Sequence, residues 1–162
     1  MVKWGKNKGI MGKIKIILRK CNTFIKLDNE SKLGFIEAFI YTGIFRGYIL
    51  FVPFNKFRNK IGNVKTESPE IVDDDDIKIA KKISFLVNKA SQYTPWESKC
   101  LVKALTAQKM LKKKGISTTL YLGVKKDLQN NMLAHAWIRC GNYYVTGGIN
   151  RQGYAIVAKF SN

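Results

Sequence analysis

Between residues 100 and 139 the spacing of apolar side chains changes period. Leu101, Ala104, Leu105, Gln108 and Leu111 fall on one stripe of a helix, with Lys103, Lys109, Lys112, Lys113 and Lys114 on other faces. Gly115 follows and stops that helix. Thr118 to Val124 then reads as a strand, a polar turn follows, and Leu133 to Arg139 alternates with period two. Leu133, His135, Trp137 and Arg139 share one face of that strand, and Ala134, Ala136, Ile138 and Cys140 the other.

The same segment carries the chemistry. Tyr93-Thr94-Pro95-Trp96 breaks a preceding helix, and Ser98 is the expected N-cap, which puts Cys100 in the first turn. Orphan N–H groups and the helix dipole favour a thiolate there, and Lys99 adds positive charge. His135 is the chain's only histidine (His 1), so any thiol–imidazole pair must use it. The bland alternatives are a buried cysteine acting as a small hydrophobe and a structural histidine beside a tryptophan. Cys21, in a basic stretch, and Cys140, at a strand end, fit the bland reading better than Cys100.

Composition bounds the rest. A chain of 162 residues with 46% hydrophobic residues can build one cored domain, with or without an N-terminal appendage. Lysine and arginine number 29 against 11 acids, a net charge of +18, which favours polyanions, anionic membrane or acidic peptides, or serves solubility alone. With one histidine and 3 scattered cysteines, neither a zinc site nor a disulfide framework is expected, which fits a reducing cytoplasm. Residues 1–20 carry lysines throughout, and no signal peptide is read there.

Upstream, residues 10–27 alternate apolar and basic. They are read as a helix packed on its own domain, with membrane or partner contact as the alternative. Asp28 to Ser31 is a helix start, and Leu33 to Val52 is the most apolar stretch, near the length of a membrane span. Glu37 and Arg46 lie inside it, each costing about 2.5–3.5 kcal/mol at mid-bilayer. Gly34, Gly43 and Gly47 weaken it further as a helix. A buried helix, or two short ones, ending at Pro53 is expected, with shallow membrane contact left open. Lys56 to Pro69 reads as a linker or loop, dividing an N-terminal helical region (1–69) from the main domain (70–162). Asp73 to Asp76 is only a weak divalent-ion signal. It belongs at the positive end of a helix from about Asp75 to Ala90.

Several of these segments carry a resemblance. Pro95-Trp96-x3-Cys100-Leu101-Val102-x-Ala104-Leu105, Leu111-x3-Gly115-Ile116, Leu122-Gly123-Val124-x-Lys126 and Ala134-His135-Ala136-Trp137-Ile138 resemble the transglutaminase-like cysteine proteases that remove leader peptides in lasso-peptide biosynthesis. The resemblance is dense from Pro95 to about Gly148. It implies an α+β fold with a papain/transglutaminase-like core, a helix bearing the cysteine packed on an antiparallel sheet bearing the histidine. It also implies a thioester mechanism with Cys100 as nucleophile, His135 as acid and base, and the Cys100 N–H as oxyanion donor. Trp96 adds its indole N–H to the oxyanion site or walls it. The family's acidic orienter of the imidazole is missing from Tyr143 to Gly148; Thr146 stands at about its position, with Asn150 and Asn142 as alternatives.

No cofactor is implied. The implied partners are a precursor peptide, a separate leader-recognition protein and an asparagine-synthetase-like cyclase. An acyltransferase on the same fold is the first rival reading. A non-catalytic basic protein binding membrane or nucleic acid is the second, although Tyr143 and Tyr144 hardly make a base-stacking platform.

Overall fold

The computed structural model describes residues 28–64 and 66–162; the basic stretch 10–27 and Cys21 lie outside them. The fold described is that of the compact unit Gly34–Asn162, which takes in residues on both sides of position 69. Its elements are α1 (Asn29–Phe51), α2 (Phe54–Ile61), β1 (Asn63–Val64), α3 (Asp74–Ser91), α4 (Cys100–Lys113), β2 (Thr119–Lys126), β3 (Met132–Cys140), β4 (Tyr143–Thr146), a 3₁₀ turn (Gly148–Asn150) and β5 (Ala155–Ser161). The strands form one sheet in the order β1-β5-β2-β3-β4, every neighbouring pair antiparallel. The α+β class that the resemblance implies is the class observed.

The period-two pattern of β3 sorts its residues by face. Ala136, Ile138 and Cys140 enter the core with Leu105 and Leu111 of α4 and Ile83 and Val87 of α3. Burying each of these large aliphatic side chains contributes about 1.5–3 kcal/mol. α4 ends as its sequence requires. Gly115 takes φ 77°, its N–H reaches Lys112 O, and Ile116 N–H reaches Leu111 O at 3.1 Å. This is a Schellman closure, with Ile116 and Leu111 both buried. Asp74, Asp75 and Asp76 occupy the first turn of α3, where negative charge suits the dipole.

The opposite face of β3 is built from aromatic and charged groups. Tyr121 stacks on Trp137 with ring centroids 5.6 Å apart. Arg139, only 6% exposed, donates to Tyr121 Oη (3.0 Å), Gly141 O (2.7 Å), Ser68 O (3.0 Å) and the Glu67 carboxylate (3.2 Å). Glu67 also accepts from Tyr121 (2.6 Å) and pairs with Lys159. The expected linker, 56–69, is thus partly ordered structure. Phe57 and Ile61 bury one side of α2, β1 pairs with β5, and residues 67–69 are pinned under Arg139. The short helix escapes periodicity because two turns among lysines, arginine and asparagines give too little pattern.

α1 is one continuous helix rather than two, and it is not buried all round. Ala38 and Thr42 are fully buried, whereas Ile36, Ile40, Ile44, Leu50 and Phe51 are exposed. It is long and apolar enough to cross a membrane by length and composition. The charges inside it are answered within the fold, Glu37 by Lys113 (2.6 Å) and Arg46 by Glu97 (3.2 Å). Gly43 is a contact point rather than a weakness: a Cβ there would lie 3.0 Å from the Trp96 ring.

The Glu67 network sets a pH dependence. Bonds from Lys159 and Tyr121 hold its carboxyl down from the ordinary 4.5 to about 2. A depressed folded-state value gives stability that is fully present above 4.5 and is lost as pH falls from there towards 2. In urea titrations, Glu67→Gln is expected to be less stable than the parent at pH 7 and to approach it below pH 3. A constant difference across that range would show that Glu67 ionisation does not contribute.

Candidate active site

α4 begins at Cys100 itself. Lys99 is the N-cap, in extended conformation and without a side-chain cap, and its carbonyl accepts the first helical bond from Lys103 N–H at 3.1 Å. Ser98, the expected cap, is engaged elsewhere: its Oγ lies 2.9 Å from Thr94 Oγ1. That hydroxyl is also in reach of Ser91 O and Trp96 O, so it ties the loop to itself. The helix therefore presents the Cys100 N–H as an orphan donor at its very start.

Trp96 does not take the place expected of it. Its indole N–H donates to Thr42 Oγ1 of α1 at 3.3 Å, and its ring packs on Phe39 at 5.1 Å. It is absent from the described residues lining the cleft beside Cys100. It anchors the loop to α1, with its indole N–H turned to Thr42. The partner, Thr42, lies 54 residues away in sequence, and local sequence carries no sign of it.

That cleft, of about 820 Å³, opens between the later turns of α3 and the start of α4 on one side and β4 with its following turn on the other. Cys100 and His135 both line it, each half-buried. No hydrogen bond joins the two among the described residues; such bonds tighten when substrate enters. Ser84 Oγ of α3 donates to Val145 O at 2.5 Å and holds the edge strand β4 against the helix layer.

His135 stands between the Trp137 and Tyr154 rings, at centroid distances of 5.8 and 5.2 Å. Its Nε2 lies 2.8 Å from Gly147 O. A carbonyl can only accept, so Nε2 carries a proton, and in the neutral ring Nδ1 then has the lone pair. The expected orienter was a side chain; the group observed is a backbone carbonyl. Thr146 is adjacent, but its Oγ1 is buried without a partner. Asn150 and Asn142 are exposed in the cleft wall and do not bond the imidazole.

Glycine makes this arrangement possible. Gly147 has φ 73°, and a Cβ on it would lie 2.4 Å from Ala136 O; one on Gly148 would lie 2.3 Å from Tyr144 Cβ. The Gly147-Gly148 pair directly after a strand was the available signal for a specialised turn. Cys140, by contrast, is fully buried in the core, where desolvation and then nearby Asp76 push its thiol up. Among the described residues no cluster of three or more potential ligands could hold a metal ion.

A family model for the transglutaminase-like superfamily matches residues 49–159. The chain belongs to the transglutaminase-like superfamily. The matched span contains both Cys100 and His135 and runs from the end of α1 into β5. Transglutaminase-like proteins are typically enzymes of the cysteine-protease or acyltransferase type. Neither a curated protein nor a solved structure matches the chain significantly.

In this transglutaminase-like chain, Gly147→Ala is expected to be destabilised by at least about 1–2 kcal/mol, from the left-handed backbone alone. It should also lose the 2.8 Å contact to His135 Nε2. Thermal unfolding measures the first, and the ¹⁵N shifts of the His135 ring the second. An unshifted ring in the folded variant would contradict the assignment of Gly147 O as its partner.

Proposed function

We propose that this chain is a cysteine peptidase that removes the leader peptide from a ribosomally made precursor during lasso-peptide maturation. The supporting observation is that one cleft holds a thiol at the first residue of a helix and an imidazole whose proton is fixed on Nε2. The motif resemblance from Pro95 to Gly148 supplies the choice of substrate.

In this reading His135 Nδ1 takes the Cys100 proton as Sγ attacks the carbonyl carbon at the leader/core junction. The negative oxygen that forms is met by the Cys100 backbone N–H. The bond to nitrogen breaks, the imidazolium gives its proton to the departing amine, and a thioester remains. Water then loses a proton to Nδ1 and attacks the thioester. The leader leaves with a free carboxylate, and the proton returns to sulfur. Gly147 O orients the ring throughout, in the place an acidic side chain occupies in the family.

A separate leader-recognition protein delivers the precursor, and an asparagine-synthetase-like cyclase closes the macrolactam afterwards. The setting is cytoplasmic, with the apolar face of α1 available for peripheral membrane contact. No observation favours the acyltransferase reading over hydrolysis, and the product separates them.

Purified protein, incubated with precursor and recognition protein, is expected to yield a leader ending in a free carboxylate. Cys100→Ala should abolish the reaction, and His135→Ala should slow it by about 10²–10⁴-fold. Circular dichroism should show both variants folded. Undiminished cleavage by either folded variant would falsify the assignment, and a leader amidated by an added amine would turn it to acyl transfer.

A further inference from the structure

Among the described residues, two cations in the cleft have no negative partner. Lys103, three residues after Cys100 and half-buried, has only the Asn88 amide oxygen, 3.5 Å from its Nζ. Arg151, also half-buried, donates to Gly148 O at 2.8 Å, and its guanidinium lies 4.1 Å from the centre of the Tyr144 ring. Both line the cleft that Cys100 and His135 share, from opposite sides. None of the described residues lining it is acidic. Elsewhere the half-buried Arg46 pairs with Glu97 and the buried Arg139 with Glu67, while the half-buried Lys125 lies over the Tyr154 ring, 4.4 Å from its centre. The third cation of the cleft, Lys99, is well exposed and already answered by Glu97 at 2.6 Å.

A partly desolvated cation held only by neutral groups keeps most of its capacity for a charge-assisted bond. Arg151 is further prepared for one, because the Tyr144 ring and Gly148 O hold its guanidinium and little freedom remains to be lost on binding. We propose that Lys103 and Arg151 select peptide substrates with an aspartate or glutamate within two residues of the cut bond. This rests on the peptidase reading of the same cleft. It differs from a general attraction of the +18 chain for polyanions by assigning the preference to two residues. Such bonds are made beside the reacting carbon and not to it, so they act on substrate binding and appear in KM.

The test uses the full chain and a synthetic peptide library with Glu, Gln or Lys fixed in turn at each position. Cleavage is read by mass spectrometry, and binding to Cys100→Ala by fluorescence anisotropy. Peptides with Glu near the cut are expected to be cleaved at least about tenfold more efficiently than their Gln counterparts, mainly through KM. Lys103→Met with Arg151→Gln should remove the difference, and Lys103→Glu should transfer the preference to Lys peptides. A gain of that kind cannot come from misfolding. Cleavage indifferent to charge, or an acid preference surviving in the double neutral variant, overturns the proposal. If no peptide is cleaved, the peptidase reading fails. The selection stands if Cys100→Ala still binds Glu peptides more tightly through Lys103 and Arg151, and falls if it does not.

Discussion

Burial of α4 between α3 and the sheet is the constraint on which the rest depends. Val102, Ala104, Leu105, Ala107, Met110 and Leu111 are all buried along its length. Ala104 and Ala107 are fully buried, and Ala136 of β3 nearly so. Small residues on both elements let helix and strand approach closely. A helix held on this much of its circumference cannot slide or turn without opening voids, and interiors tolerate few. Cys100, as its first residue, inherits that fixity while staying at the surface of the cleft.

The second half of the site is held differently. β4 is only four residues long, Tyr143–Thr146, and pairs on one side alone. Backbone pairing by so short an edge strand gives little rigidity. The Ser84–Val145 bond and the cramped Gly147-Gly148 turn make up the difference. On the far face of the sheet, Arg139 spends its donors on Glu67, Ser68, Tyr121 and Gly141. Taking a guanidinium out of water costs several kcal/mol, and one carboxylate seldom repays it. Here carbonyl oxygens and a phenol share the load. The result is better seen as a clamp on residues 67–69 than as a large source of stability.

How much of this was legible follows from what each contact uses. The α4 stripe, its stop at Gly115 and the two faces of β3 are local periodicities, and they appear where the residues put them. So does the acidic start of α3. Ser98 was a reasonable cap by residue type, but Thr94 competes for its hydroxyl, and that competition is visible only in coordinates. Trp96 has its partner on α1, far off in sequence. The orienter of His135 was beyond any reading of side-chain types, because a backbone carbonyl is present at every residue. Only the glycines that aim it leave a trace.

A backbone orienter has physical consequences of its own. A carboxylate brings a full charge, which at 4 Å and an effective dielectric of 20 interacts with an imidazolium by about 4 kcal/mol. Gly147 O brings only a dipole, although as a backbone group it has no side-chain rotamers to freeze. It gives His135 orientation without charge. As the imidazole accepts the thiol proton, the compensating negative charge must come from the sulfur and from whatever lies in the cleft. The walls offer Lys103 and Arg151, which oppose a growing positive charge.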